Sequence, residues 1–278
     1  MFCHNAYPEV PVGTDLQHAA PLFPPNLPHG IGCQRCHGPG ARHVEIALDP
    51  DATDAQIRSR IINTKNHSPE VQNQLCMTCH LQPETLADSQ MLPRAFDKPL
   101  YQHRPDQSIR DWITFLDHGN AEQQRNRTQV NHHAYRLRFS KCYSESAEQL
   151  GCTSCHNPHK KVAKAQRPDF YRAKCLQCHE LTDCAEPSMG QTRDPAQSDC
   201  VSCHMLKTRP ADVVHATVTD HYIRRRHPSP DPAAARPEQP DRPAPTSVEP
   251  LFADTTKTPQ WKVLAGLATA GSASTQDL

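Results

Sequence analysis

Cys33-Gln-Arg-Cys36-His37 is a five-residue stretch with two thiols three positions apart and an imidazole directly after the second. The same spacing returns at Cys76-Met-Thr-Cys79-His80, Cys152-Thr-Ser-Cys155-His156, Cys175-Leu-Gln-Cys178-His179 and Cys200-Val-Ser-Cys203-His204. A scrambled chain with these Cys and His frequencies would hold about 0.04 such motifs, so five copies are not an accident of composition. Ten of the thirteen Cys are used in this way.

The chemistry follows from the spacing. Two thiols separated by two residues can form thioethers with the two vinyl groups of one haem, and the next His then lies under the iron as its proximal ligand. Zinc ribbons and redox dithiols also use Cys-x-x-Cys, but neither requires His after every second Cys. The expected cofactor is therefore haem c. Cys33, Cys36, Cys76, Cys79, Cys152, Cys155, Cys175, Cys178, Cys200 and Cys203 carry the thioethers. His37, His80, His156, His179 and His204 bind iron. Met1-Phe2-Cys3-His4 reads as the second half of a sixth motif whose first Cys precedes Met1. On that reading the chain is N-terminally truncated, its export signal lies upstream, and Cys3 and His4 serve a sixth haem. The plainer alternative makes Met1 the true start and Cys3 an unrelated thiol.

The bulk composition agrees with a fold built on cofactors. The chain has 278 residues, zero formal net charge and only 5% aromatic residues, with 27 Pro against 10 Gly. Such a polar, Pro-rich chain is poorly supplied for a conventional core, and the macrocycles are expected to replace it. The fold class expected is mostly α with much irregular loop and little sheet, a multihaem cytochrome c fold with covalent haems as its core. A balanced charge argues against a nucleic-acid partner. No stretch approaches the ~20 apolar residues of a transmembrane helix.

Along the chain, residues 1–28 read as Pro-rich loop and 51–63 as a short helix. Ser68-Pro69-Glu70 reads as an N-cap and first turn of a helix running into the second motif, and Pro168-Asp169 as the same before the fourth. Further helix is expected within 109–118 and 132–150. The domain scheme is a haem domain over 1–227, a Pro-rich linker over 228–250 and, over 251–278, a short tail or the opening of another domain.

Twelve His lie outside the motifs and the half motif, more than enough to close every iron with a second imidazole. His159 follows the third motif through a tight Asn-Pro turn, and His43 follows the first through Gly38-Pro39-Gly40. His133 sits in an expected helix with His132 as its competitor, and His215 and His221 flank the segment after the fifth motif. His103 and His118 rank lower, while His18, His29, His67 and His227 read as surface residues. Met205 reads as packing. Cys142 and Cys184 are expected either to pair as a disulfide or to stay thiols. Arg136, Arg138 and Arg224 to Arg226 either meet haem propionates or form a solvated basic face.

His29 to His43, His133 to Arg138, Cys152 to His159 and Val213 to Ile223 resemble, in order, segments of bacterial multihaem c-type cytochromes related to the nitrification-type tetrahaem cytochromes. Such haem domains often precede tetratricopeptide repeats. The resemblance spans about residues 1–227; no such repeat is visible in 228–278. It implies an exported, periplasmic protein with mostly bis-His haems, His43, His133, His159, His215 and His221 as distal ligands, and Cys3-His4 as part of a full motif. The function expected is electron transfer through a chain of haems to redox partner proteins. The alternative is an oxidoreductase acting on a small nitrogen or sulfur compound at one open haem.

Overall fold

The computed structural model describes residues 3–7, 10, 23–81, 95, 98–118, 121–126, 128–147, 149–184, 198–225, 231–235, 247–252, 261–263, 265–266 and 269. His18, Arg226, His227 and most of the expected linker lie outside them. The chain divides into two compact units, one formed by Met1–Arg127 with Gln239–Leu278 and the other by Thr128–Glu238.

In the first unit the helices are α1 (Gln34–His37), α2 (Ala41–Ala47), α3 (Asp54–Ser59), α4 (Pro69–His80) and α5 (Ala121–Asn126), with 3₁₀ turns at Thr64–Asn66, Leu100–Gln102 and Ile109–Asp111. Two of them, α3 and α4, start on side-chain caps, of which that of α4 is the one read from the sequence. Thr53 and Gln56 form a reciprocal capping box at the start of α3. Ser68 caps α4 through an N–H bond from Val71, with Pro69 in the first turn. Two short strands, β1 (Leu116–His118) and β4 (Val248–Pro250), pair antiparallel.

Residues 109–118 differ from the expected helix. Only Ile109–Asp111 turns, as 3₁₀, and the chain then extends into β1. The reason is tertiary. Ile113, Phe115 and Leu116 are buried, β1 finds its partner more than a hundred residues away, and Phe115 meets Phe252 edge-on with ring centroids 5.7 Å apart. Aromatic and β-branched residues suit such a paired, half-covered strand. The partner β4 falls inside the stretch expected to be linker.

The second unit holds α6 (His133–Leu137), α7 (Lys141–Glu145), α8 (Cys152–Cys155), α9 (Arg167–Cys175) and α10 (Cys200–His204), with a two-residue ladder of β2 (Lys207–Thr208) and β3 (Val218–Thr219). Expected helix in 132–150 is present as α6 and α7. The helix opened by Pro168 is α9, with Pro in its first turn but no side-chain cap. Secondary structure is mostly helical and irregular, with little sheet, as the composition led one to expect.

Buried apolar side chains are few. Among the described residues, Met77, Leu81, Ile109, Trp112, Ile113, Phe115 and Leu116 make a small core in the first unit, and Tyr135 alone plays that part in the second. Domains of this size ordinarily bury much more.

Candidate haem-binding sites

All five motifs take the same local form. The His37 N–H bonds to the Cys33 carbonyl at 2.9 Å, that of His156 to Cys152 at 2.9 Å and that of His179 to Cys175 at 3.1 Å. The second motif is the last turn of α4, and the fifth is α10. One helical turn places residues i, i+3 and i+4 on a common face. Both thiols and the imidazole of each motif therefore point to one side, the arrangement that two thioethers and one axial bond to a single macrocycle require. Among the described residues no two Cys are joined by a disulfide, Cys142 and Cys184 included.

In the first unit the two complete motifs and the half motif come together. Cys3 and Cys79 share a thiol hydrogen bond, which with the Thr78 hydroxyl and the charge of Arg35 lowers Cys79 to about 5 against the opposing effect of burial. Burial, then the charges of Cys76 and Cys79, push Cys36 up. Arg35, between the two Cys of the first motif, is buried and stacks on the Tyr7 ring at 4.5 Å, with Arg104 4.6 Å from the same ring.

A second cluster forms in the other unit. Cys175 is pushed up to about 11 by burial and by the neighbouring Cys200 and Cys155. Burial likewise raises Cys155 and Cys142. Among the described residues no group of three or more His, Cys, Asp or Glu is arranged to hold a lone metal ion.

The imidazoles show which nitrogen is available. His37 Nδ1 lies 2.9 Å from the Ile62 carbonyl, and His204 Nδ1 lies 2.7 Å from the Arg224 carbonyl. A carbonyl can only accept, so Nδ1 carries the proton and Nε2 is left with its lone pair for a metal. His43 is held in the same way by the Ile57 carbonyl at 3.0 Å, and His221 by that of Thr219 at 3.1 Å. His156 Nδ1 is 3.3 Å from the Tyr171 hydroxyl. Beside His37 an open groove of about 350 Å³ is lined by Pro39, Arg42, Arg60, Ile61 and Ile62, within the range of small-cofactor pockets. Donor set, common face, Nδ1-anchored imidazoles and missing core all fit haem.

The candidate distal residues fall into distinct settings. His133 and His221 meet edge-on at 4.6 Å between ring centroids, and His221 lies 6.1 Å from His156. His43 shares the 57–62 segment with His37. His159 and His215 are exposed, and Asn157 caps the His159 N–H at 2.9 Å. His4, His80 and His179 are also exposed. His118 lies in β1. His103 is buried against Trp112, and its Nε2 lies 3.1 Å from the Gln107 carbonyl, so the nitrogen that would face iron is already used. Burial lowers its pKa.

Two features escaped sequence reasoning. His67, read as a surface residue, has Nε2 buried with no hydrogen-bond partner. Such an atom costs about 1–3 kcal/mol unless a group from outside the chain meets it. That places His67 beside His43 as a nitrogen available in the first unit. The other feature is Asp220. Its side chain is 1% exposed and takes a two-pronged ion pair from Arg136, Nε and Nη2 each at 2.8 Å. Arg224 also contacts it. Burial pushes the Asp220 carboxyl up, but the hydrogen bond and charge of Arg136, the Tyr222 N–H and Arg224 outweigh this and hold it below the usual range. Arg136 and Arg224 are therefore not part of a solvated basic face but share a buried carboxylate. Arg138 packs over the Tyr135 and Phe139 rings. Nothing local in the sequence pairs Asp220 with an Arg 84 positions earlier.

The chain is 24% identical over 201 residues to the multiheme cytochrome MtrA of Shewanella baltica (strain OS185). The match covers 69% of this chain and 47% of that protein, so the chain spans about half the length of the curated relative it matches. No family model and no solved structure matches. No described helix is long and apolar enough to cross a membrane. The likeness relates this chain to a multihaem cytochrome.

Proposed function

We propose that the chain is a c-type multihaem cytochrome that carries electrons outside the cytoplasm. The observation that carries this reading is the shared form of the five motifs, each a turn or helical turn that sets its His four residues after its first Cys, with two thiols and one imidazole toward one face. Five haems attach through the complete motifs, with His37, His80, His156, His179 and His204 as proximal ligands. Cys3 and His4 belong to a sixth site; the contact of Cys3 with Cys79 supports this. The haem-bearing region runs over 1–227, and its kinship is with the nitrification-type cytochromes.

Bound haem supplies one-electron redox chemistry at potentials set by axial ligands, burial and neighbouring charge. The chain's own residues do the rest. Cys pairs fix each macrocycle covalently, so a loop-rich polypeptide can hold it without a deep pocket. Ile62 and Arg224 carbonyls fix the tautomer and orientation of His37 and His204. His43, His133, His159, His215 and His221 supply second imidazoles that close the irons against substrate, with His103 and His118 as weaker candidates. Closed, closely grouped haems suit electron hopping between protein partners rather than catalysis. Export to the periplasm follows from where haem is attached to Cys.

Absorption and electron paramagnetic resonance spectra of the matured protein test the carrier reading. Low-spin signals alone are expected. A strong high-spin signal, or fast binding of nitrite, hydroxylamine or carbon monoxide, would replace it with the reading of an enzyme with an open haem.

A further inference from the structure

We infer that Asp220 is a positioning residue that orients three haem-ligating imidazoles at once, those of His133, His221 and His204, by clamping α6 to the segment 218–224. This rests on the haem reading above. Arg136 lies three residues after His133, on the same face of α6. It reaches Asp220 with two parallel N–H bonds at 2.8 Å, both side chains almost wholly buried. A planar guanidinium gripping a carboxylate by both oxygens fixes orientation as well as distance.

Asp220 is the residue before His221. With its carboxylate held, the His221 ring is delivered 4.6 Å from His133. Ser140 strengthens the same join, its hydroxyl donating to the His221 carbonyl at 3.2 Å and accepting the Ile223 N–H at 2.8 Å. On its other side Asp220 is fastened to the fifth motif. Its own N–H bonds to the Leu206 carbonyl at 2.9 Å, and Arg224, which also contacts the carboxylate, turns its backbone onto His204. The Arg224 N–H bonds to the His204 carbonyl at 2.9 Å, and the Arg224 carbonyl receives the His204 Nδ1 proton at 2.7 Å.

One carboxylate therefore governs the orientation of an imidazole pair, His133 and His221, and the hydrogen bond that tunes His204. Outer hydrogen bonds of this kind orient a metal-binding His and raise its basicity. None of these groups need touch a haem for the effect to operate. The clamp is buried where a solvated pair would contribute little, and it spans 84 positions of sequence, so its contribution is to bring remote ligands into register.

The test is Asp220→Asn in the fully matured protein, read by resolved low-spin resonance signals and by spectroelectrochemical titration. Asn keeps the volume but offers one acceptor oxygen and no charge to Arg136. The expected result is every covalent haem retained, with those served by His133, His221 and His204 shifted in signal position and midpoint potential and the others unchanged. Arg136→Lys, which loses the two-pronged grip, should move the same haems. Signals and potentials matching the parent, with only the unfolding midpoint lowered, would overturn the inference. Where Asp220→Asn fails to mature, Ser140→Ala removes the parallel join without a charge, and the same haems should shift to a smaller degree; no shift would overturn it. A chain with no covalent haem would instead overturn the haem reading itself.

Discussion

His37 and His204 commit Nδ1 to a backbone carbonyl, and this makes their substitution informative. His37→Gly should leave both thioethers of the first motif intact but turn one haem from low to high spin, and added imidazole should restore the low-spin signal. A spectrum that does not change would remove His37 from the proximal position. Gly38 answers a steric question at the same place. Its φ of 72° and ψ of −171° lie in a region open almost only to glycine, and a Cβ there would sit 2.9 Å from Ile62 Cδ1. Gly38→Ala should cost about 1–3 kcal/mol in denaturant unfolding. It should also disturb the first haem spectrally, because Ile62 holds His37. At this scale the motifs were legible, since all their information lies within five residues. Their carbonyl partners were not: Ile62 and Arg224 are 25 and 20 positions from the imidazoles they hold.

Elements were legible where their ends carry chemistry. Ser68 and Pro69 start α4 as read, and Ser68→Ala should lower stability by about 0.5–2 kcal/mol, measured by the denaturation midpoint of the matured protein. A cap that contributed nothing would leave the midpoint where it was. Helix α2 was not foreseen, because Gly38-Pro39-Gly40 reads as loop and the helix buries no residue of its own. Residues 112–118 went the other way. Their apolar run fits a helix or a strand locally, and the choice is made by β4, whose pairing with β1 no local pattern announces.

At the scale of the whole molecule, the shortage of buried apolar side chains was legible from composition, and the structure gives it a location. The second unit, with Tyr135 as its single large buried apolar residue among those described, depends on haem for its interior. Chain produced without haem attachment should therefore show no cooperative thermal transition, whereas matured protein should show one. A sharp transition in the haem-free chain would contradict this dependence. What holds the second unit apart from haem is the buried Asp220 cluster, and Asp220→Ala in the matured protein should cost about 3–5 kcal/mol, the usual cost of stranding one partner of a buried pair. Sequence alone marks out the Cys-x-x-Cys-His motifs but not this clamp, because an Asp and two Arg have no comparable spacing rule.

The central claim is that the five motifs hold covalent haem. Intact mass spectrometry of the chain matured in an exporting host tests it most directly. The expected mass exceeds that of the polypeptide by at least five haems, with one haem lost for each motif whose two Cys are changed to Ala. A mass equal to the bare chain, or one that includes zinc in place of haem, would contradict the account.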